Sequence, residues 1–170
     1  MKELEVYDTM MAEYYESITT QFLPLSSWEF YGEHNAFLHS SKQDLDSLQK
    51  ITKKWNFNND YHHELVNKKS VIVITSADLK IVFASHNIEK MTGYAPEEVI
   101  GSSPKIFQGK DTDPKTSEAI RNAINKKQPF EASILNYKKD NSTYICEIKG
   151  FPVCDKRGKL INYIAFEKAA

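Results

Sequence analysis

The second half of the chain alternates short apolar segments with polar turns, in an order that predicts a curved sheet. Val71–Ile74 and Ile81–Ala84 are apolar, largely β-branched segments on either side of a polar turn, and together they predict a hairpin. Short helical segments and one longer helix come next, and three long segments of alternating polarity follow. This order predicts an α+β domain with a cupped antiparallel sheet, a shape suited to holding a small ligand or a partner helix.

The segment between the hairpin and the last three strands carries signals for helix starts and stops. Asn87 is the predicted N-cap of a short helix that Gly93 ends, and Pro96 is expected in the first turn of another. Asp113 and Pro114 have the order of an N-cap and a first helical residue, and they open the longest helix of this region. The predicted buried face of that helix consists of Ala119, Ile120, Ala123 and Ile124.

The last three strands are predicted at residues 130–137, 143–154 and 160–168, with polar turns at 139–141 and 155–158. Side chains alternate between the two faces of a strand. On the last strand, one face is therefore predicted to carry Ile161, Tyr163, Ala165 and Glu167, and the other Leu160, Asn162, Ile164 and Phe166.

Residues 1–64 are predicted to form a helical extension. An apolar stripe at three- and four-residue steps predicts a first helix over residues 3–18. Ser26 or Ser27 is expected to cap a second helix, and Ser41 precedes a third in which Leu45, Leu48 and Trp55 share a face. Asn59 or Asp60 is expected to cap a short helix that leads into the first strand. These aromatic-rich helices either pack on the domain's own sheet or form a dimer interface or a moving output helix, and the pattern favours neither.

Composition is that of an ordinary soluble domain, with 41% hydrophobic and 26% charged residues in a chain of 170. A net charge of −1 predicts no nucleic-acid partner, and no apolar run approaches the roughly 20 residues that span a membrane. With no signal-peptide pattern at the start, we expect a cytoplasmic protein. Cys146 and Cys154 are predicted to be small, partly buried thiols. No metal-ligand spacing, phosphate-binding glycine loop or catalytic triad occurs, and we expect no enzymatic activity.

Residues 65–168 resemble the PAS superfamily. The resemblance is carried by four segments taken together: MTGYAPEEVIG, EAIRNAI, NYKKD and NYIAFE. It implies a five-stranded antiparallel sheet whose concave face holds a cofactor or is filled by side chains. It also implies a division into a helical extension, residues 1–64, and a PAS domain, residues 65–170.

Within that superfamily, the chain is similar to the flavin-binding light, oxygen or voltage (LOV) branch. That branch has a motif of the form GxNCRFLQG, and the corresponding residues 101–109 read GSSPKIFQG. Pro104 stands at the position of the reactive cysteine. Because proline has no thiol, the resemblance implies that no cysteinyl–flavin bond forms here.

The resemblance also implies a set of cofactor-binding residues. Lys105 replaces the motif arginine and keeps its charge without the bidentate fork. Asn136 matches one ring-binding asparagine, whereas Cys146 stands where the second is expected and Glu167 stands where the branch has its signalling glutamine. An ionised glutamate only accepts hydrogen bonds, whereas an amide donates and accepts. The implied set is Gln108, Lys105, Arg121, Asn136, Cys146 and Glu167, with Gln108 matching the motif glutamine and Arg121 the helix arginine that meets the flavin phosphate.

Together these patterns predict a stand-alone sensory or interaction module in signal transduction. It is expected to bind a small ligand, with FMN or FAD as the candidates from the resemblance, or a partner protein, and to signal through its helices or a dimer interface. Haem is not expected, and a homodimer is. The alternative is a structural adaptor or dimerisation domain whose core is filled by side chains and binds no ligand.

Overall fold

The computed structural model describes residues 26–170. Residues 36–170 form one compact unit, which contains the sheet and the candidate site. The helix predicted over residues 3–18 lies outside the described residues. Residues 36–64, from the predicted extension, belong to the same compact unit as the sheet.

One five-stranded antiparallel sheet forms the centre of this unit. Its strands have the spatial order β2-β1-β5-β4-β3, with every neighbouring pair antiparallel. This confirms the predicted α+β fold with five strands. The strands are β1 (Val71–Ser76), β2 (Ile81–Ala84), β3 (Phe130–Tyr137), β4 (Thr143–Cys154) and β5 (Leu160–Ala169).

Helical segments precede the sheet and connect its second and third strands. The long helix α1 comes first, and a short π-helix at His63–Asn67 leads into β1. Asp60 caps that turn as predicted, since its Oδ1 accepts from the His63 N–H at 2.9 Å. The helices are α1 (Ser26–Thr52), α2 (Ile88–Thr92), α3 (Pro96–Val99), a 3₁₀ turn (Pro104–Phe107) and α4 (Pro114–Asn125).

The two side-chain caps predicted between β2 and β3 have different outcomes. Asp113 caps α4 as predicted, because its carboxylate accepts from the backbone N–H groups of Lys115 and Thr116. Asn87 does not cap α2, and that prediction is wrong. Its backbone is already helical, with φ −67° and ψ −5°, whereas a capping side chain needs extended backbone. The Asn87 amide instead accepts from the Ser85 hydroxyl at 2.6 Å and donates to the Ser70 carbonyl at 3.0 Å.

The predicted helix break at Ser41 is also wrong, because α1 runs without interruption from Ser26 to Thr52. A serine hydroxyl inside a helix can bond to a carbonyl of the preceding turn, and Ser40 does so with the Phe37 carbonyl at 3.0 Å. Ser41 itself is buried. Trp55 lies beyond the end of α1, where its backbone forms an isolated bridge with Asp155.

Apolar clusters cover both faces of the sheet. The cluster on the outer face joins sheet residues to side chains that precede β1, so this part of the extension packs on the domain's own sheet. Its buried members are Leu48, Trp55, Leu65, Ile72, Ile74, Phe83, Val153, Ile164 and Phe166. The cluster on the concave face joins the sheet to α2, α3 and the 3₁₀ turn, and it includes Val73, Ile88, Val99, Phe107, Ile134 and Cys146.

The helix α4 packs more lightly than its pattern predicted. Ala119, predicted on the buried face, is exposed, and no residue of α4 is fully buried. Ile120 and Ile124 do face inward, where they line the cavity described below. The helix touches the domain along one narrow edge, because residues four apart lie on the same side of a helix.

Candidate ligand-binding site in the concave face of the sheet

The concave face of the sheet encloses a cavity of about 110 Å³. Its polar lining consists of Thr75, Gln108, Asn136, Tyr163 and Glu167. The apolar lining comes from Val73, Leu79, Pro104, Phe107, Ile120, Ile124, Phe130, Ile134, Ile148, Ile164 and Ala165, with Gly150 completing the wall. A mostly apolar cavity with a few converging polar groups has the usual character of a small-molecule site.

Strand alternation points the polar side chains inward. Ile134 and Asn136, two residues apart on β3, are both buried, and Tyr163, Ala165 and Glu167 alternate along β5. This confirms the face predicted for the last three of these residues.

A glycine on β4 shapes one end of the cavity. A Cβ on Gly150 would lie 2.4 Å from the ring of Phe130, closer than real contacts allow. Only glycine therefore lets this ring close over the strand.

The segment that carries Gln108 is held against β3. A Cβ on Gly109 would lie 2.5 Å from the Tyr137 ring, so glycine permits this close approach. Tyr137 Oη donates to Asp111 Oδ2 at 2.6 Å, and the Thr112 hydroxyl donates to the Leu135 carbonyl at 2.8 Å. These bonds fix the backbone that follows the 3₁₀ turn and so fix the half-buried Gln108 at the cavity wall.

Two buried oxygen atoms on the cavity lining, Oδ1 of Asn136 and Oγ1 of Thr75, make no hydrogen bond of good geometry within residues 26–170. A polar neighbour of the Asn136 amide is the Tyr144 phenol on the adjacent strand, whose pKa is raised by burial and lowered by the amide. Asn136 is only 4% exposed. Leaving a buried polar group unpaired costs roughly 1–3 kcal/mol, so native proteins rarely keep one without a use. A ligand that donates a hydrogen bond into the cavity would satisfy Asn136.

Glu167 is a buried carboxyl group on the same lining. The Cys146 thiol donates to this carboxyl, with Sγ 3.7 Å from Oε2. Removal from water raises the pKa of Glu167 to about 7, an effect that the bond from Cys146 opposes. Burial likewise raises the pKa of the Cys146 thiol and of the Tyr144 phenol. At neutral pH, the cavity thus contains a carboxyl that is close to half protonated.

The six residues implied by the resemblance fall into three groups. Gln108, Asn136 and Glu167 line the cavity together, as does Pro104. Cys146 is fully buried and contacts the cavity through Glu167. Lys105 and Arg121 are exposed and are not among the lining residues. Their contact with a ligand phosphate stays a prediction.

Sequence reasoning missed two polar members of the lining, Tyr163 and Thr75. Tyr163 was placed on the same face of the last strand as Glu167 without a binding role, and Thr75 was assigned to no element. Its place two residues after Val73 on the inward face was the available signal.

A planar ring of flavin size does not enter this cavity without a movement. Pockets for drug-sized ligands measure roughly 300–1,000 Å³, and this cavity is smaller. The helix α4 contributes Ile120 and Ile124 to the lining, and the Ile124 carbonyl accepts a hydrogen bond from Tyr163 Oη at 2.9 Å. The polar groups of the lining match the edge of a heteroaromatic ring. The amides of Gln108 and Asn136 and the carboxyl of Glu167 can pair with hydrogen-bond donors and acceptors that alternate along such an edge.

Two other site types find no support in residues 26–170. No group of three His, Cys, Asp or Glu side chains there is arranged to hold a metal ion. Within the same residues, no helix is long and apolar enough to cross a membrane.

The chain belongs to the PAS domain family, whose model matches residues 69–168. That span contains the whole sheet apart from the last residue of β5, and it contains every residue of the cavity lining. The predicted resemblance to PAS proteins is therefore confirmed.

Curated relatives confirm the similarity to the LOV branch. The chain is 42% identical over 88 residues to Protein TWIN LOV 1 of Arabidopsis thaliana, covering 51% of this chain and 22% of that protein. It is 36% identical over 93 residues to Phototropin-2 of Oryza sativa, covering 55% of this chain and 10% of that one. The chain is 37% identical over 87 residues to the Blue-light photoreceptor of Listeria monocytogenes, covering 49% of this chain and 34% of that protein. The match thus spans a minor part of each relative.

Solved LOV domains have the same fold. The dark structure of the Aureochrome1 LOV photoreceptor superimposes with a TM-score of 0.61 at 29% identity, covering 68% of this chain and 86% of that one. A LOV domain studied with a flavin analogue superimposes with a TM-score of 0.59 at 30% identity, covering 62% of this chain and 81% of that one. The light-state dimer of the fungal photoreceptor Vivid superimposes with a TM-score of 0.58 at 25% identity, covering 61% of this chain and 79% of that one. PAS and LOV domains are sensory signalling modules, and this chain contains one.

Proposed function

We propose that this domain is a non-enzymatic sensory module that binds a small ligand in the concave cavity of its sheet. The ligand is a flavin, FMN or FAD, or a molecule with a similar ring edge. Signals leave through the helices that pack on the outer face of the sheet or through a dimer interface. Cysteinyl–flavin photochemistry is not part of the proposal, because Pro104 has no thiol.

The observation that carries the proposal is the unpartnered Oδ1 of Asn136 in a mostly apolar cavity. A core filled only for stability would gain from an apolar side chain of similar shape at this position. Retaining an amide there is explained by a ligand that donates to it.

In this proposal, three residues hold the edge of the ring. Asn136 and Gln108 offer amides that both donate and accept, and Glu167 offers a carboxyl. A bound flavin would supply absorption of blue light. The protein's own residues bind and orient the ring and keep water from it, with Ile120 and Ile124 of α4 covering the opening.

The strand β5 connects the cavity to the outer face. Glu167 lines the cavity, whereas the preceding Phe166 is buried in the outer cluster with Leu48 of α1. A ligand that changes the position of β5 therefore changes the packing under α1. If α1 and the sheet have two packing arrangements, the ligand shifts the equilibrium between them by the difference in its binding free energy for the two.

The test is a titration of the full chain with FMN, FAD and riboflavin, followed by ring absorption and fluorescence. Asn136→Leu removes the unpartnered amide, and Asn122→Leu makes the same change at an exposed position on α4. We expect binding by the parent and by Asn122→Leu, and at least tenfold weaker binding by Asn136→Leu. Equal binding by all three proteins, or by none, would contradict the proposal.

A second candidate is favoured by the volume of the cavity. At about 110 Å³ it is small for a three-ring ligand, as expected of a PAS adaptor or dimerisation domain that binds no ligand. That candidate predicts no binding by any variant and an apparent mass in light scattering that matches a dimer or a complex with a partner protein.

A further inference from the structure

A carboxyl group inside an apolar cavity needs either a cation or a proton. Glu167 is 7% exposed and lies on β5 between Val71 of β1 and Ile148 of β4. Within residues 26–170, no lysine, arginine or histidine lies within ion-pair distance of it. These residues thus provide no fixed positive charge for an ionised Glu167.

The titratable groups that face Glu167 come from one strand. They are the Cys146 thiol, 3.7 Å from Oε2, and the phenol of Tyr144, both on β4. Both are weak acids whose own pKa values burial raises, so both stay uncharged at neutral pH. The cavity lining from β1, β3, the 3₁₀ turn and α4 adds uncharged side chains, of which Thr75, Asn136 and Gln108 are polar.

We propose, on the basis of the proposed function, that Glu167 binds the ligand as a neutral carboxylic acid. Its O–H donates to an acceptor atom on the edge of an uncharged heteroaromatic ring, and binding takes up a proton from solvent in those molecules whose Glu167 was ionised beforehand. Glu167 thereby supplies what an amide would supply at this position, a donor and an acceptor on one planar group. No covalent bond to the ligand forms or breaks.

The alternative occupant, a cationic ligand, is less consistent with the lining. An ionised Glu167 paired with a cation would need further groups to satisfy its remaining lone pairs. Among residues 26–170, the donor to Glu167 is a single thiol, that of Cys146, with its sulfur atom 3.7 Å from Oε2. The oxygen atoms of Asn136 and Thr75 carry no formal charge, so they can accept from the N–H groups of a neutral ring but add no negative charge to hold a cation. The binding measurements below distinguish the two, because a cationic ligand binds better at high pH.

Binding through the neutral acid makes the affinity depend on pH. Burial raises the pKa of Glu167 to about 7, so the protonated fraction falls between pH 6 and pH 8. Apparent affinity scales with the fraction of protein in the binding-competent form, which predicts about tenfold weaker binding at pH 8 than at pH 6. A ligand that meets an ionised carboxylate shows the opposite trend.

Riboflavin is the probe for the test because it lacks the phosphate of FMN, whose second ionisation near pH 6 would add its own pH dependence. Affinities are measured by fluorescence quenching at pH 6, 7 and 8 for the full-length parent, Glu167→Gln and Glu147→Gln. Glu147 is an exposed carboxylate on β4 and serves as the matched control. We expect about tenfold weaker binding at pH 8 for the parent and the control, and constant binding for Glu167→Gln.

Each outcome has one meaning. Constant binding by the parent, stronger binding at pH 8, or an unchanged decline in Glu167→Gln overturns the neutral-acid proposal and leaves the ligand-binding function standing. Absence of binding by all three proteins at every pH overturns the ligand-binding function and this proposal with it. If Glu167→Gln does not fold, infrared difference spectra of the parent at pH 8 decide. A protonated-carboxyl band that rises on adding riboflavin supports the proposal, and its absence refutes it.

Discussion

Asp44 of α1 accepts two hydrogen bonds from His86, which lies in the turn after β2. The His86 backbone N–H lies 2.9 Å from Oδ2, and ring Nδ1 lies 2.7 Å from Oδ1. The Asp44 side chain is 4% exposed, whereas that of His86 is 43% exposed. Burial raises the pKa of Asp44, and the bonds from His86 oppose that rise. This contact ties the end of α1 to the core domain at a defined point.

Replacing Asp44 with alanine is expected to destabilise the protein by about 2 kcal/mol. The change leaves the His86 N–H without its charged acceptor, and hydrogen bonds to charged groups contribute more than neutral ones. Asp46→Ala, at an exposed position of the same helix, is the control and is expected to change stability by less than about 0.5 kcal/mol. Urea unfolding measures both. Equal stabilities for the two variants would show that the contact does not hold α1 in place.

Stability is expected to fall as pH rises through neutrality because of Glu167. Burial raises its folded pKa from 4.5 to about 7, so the folded state holds this proton more tightly than the unfolded state does. The stabilisation is fully present below the unfolded pKa and is lost as pH rises through the folded pKa. The integrated effect is about 3 kcal/mol between pH 4.5 and pH 7.5.

Glu167→Gln is expected to remove this part of the pH dependence. Urea unfolding of the ligand-free protein at several pH values gives the comparison, with Glu147→Gln as the control at an exposed carboxylate. The idea fails if the parent and Glu167→Gln show parallel stability curves over this range.

Strand positions could be predicted from sequence because alternation and turn chemistry act over a few neighbouring residues. The prediction for residues 143–154 matches β4, and Asp140 forms the expected turn by accepting from the Ser142 N–H at 2.9 Å. The helix break at Ser41 could not be predicted correctly, because burial of that serine depends on residues distant in sequence. Tertiary packing of this kind overrides local propensity.

Part of the polar lining of the candidate site could be predicted from the sequence, whereas the way the cavity is closed could not. Asn136 and Glu167 were identified from the resemblance and by their positions on strands, and both line the cavity. The light packing of α4 could not be read from its apolar positions, since the same pattern fits a fully buried helix face. The effect of burial on Glu167 also needed the structure, because desolvation depends on every neighbouring element.

Tyr163→Phe is expected to speed ligand release about fivefold. The Tyr163 hydroxyl donates to the Ile124 carbonyl at 2.9 Å, and a net hydrogen bond of about 1 kcal/mol corresponds to that factor. Stopped-flow displacement of riboflavin measures the rate. Tyr61→Phe removes a buried hydroxyl that has no partner and should leave the rate unchanged. Equal rates in both variants would mean that α4 does not gate the cavity.

Arg121→Ala is expected to weaken FMN binding about tenfold and to leave riboflavin binding unchanged. The two ligands differ by a phosphate, and a charged hydrogen bond from a guanidinium to phosphate is worth roughly 1.5–3 kcal/mol. Arg121 is exposed, so its loss should not disturb the fold. Lys115→Ala, at another exposed position of α4, is the control. An FMN affinity that is unchanged by Arg121→Ala would remove this residue from the site.

Pro104→Cys is expected to give the flavin-loaded protein light-induced bleaching that recovers in the dark. Pro104 lines the cavity, so a thiol at this position faces the space that the ring would occupy. The backbone tolerates the change, because residue 104 opens a 3₁₀ turn whose first N–H needs no partner within the turn. Absorption under blue light measures the effect, with Pro104→Ser as a control that has the same backbone freedom and no thiol. Bleaching in the parent or in Pro104→Ser would point to another residue, with the buried Cys146 as the first suspect. A Pro104→Cys protein that holds flavin and does not bleach would show that the ring lies too far from this turn for a bond to form.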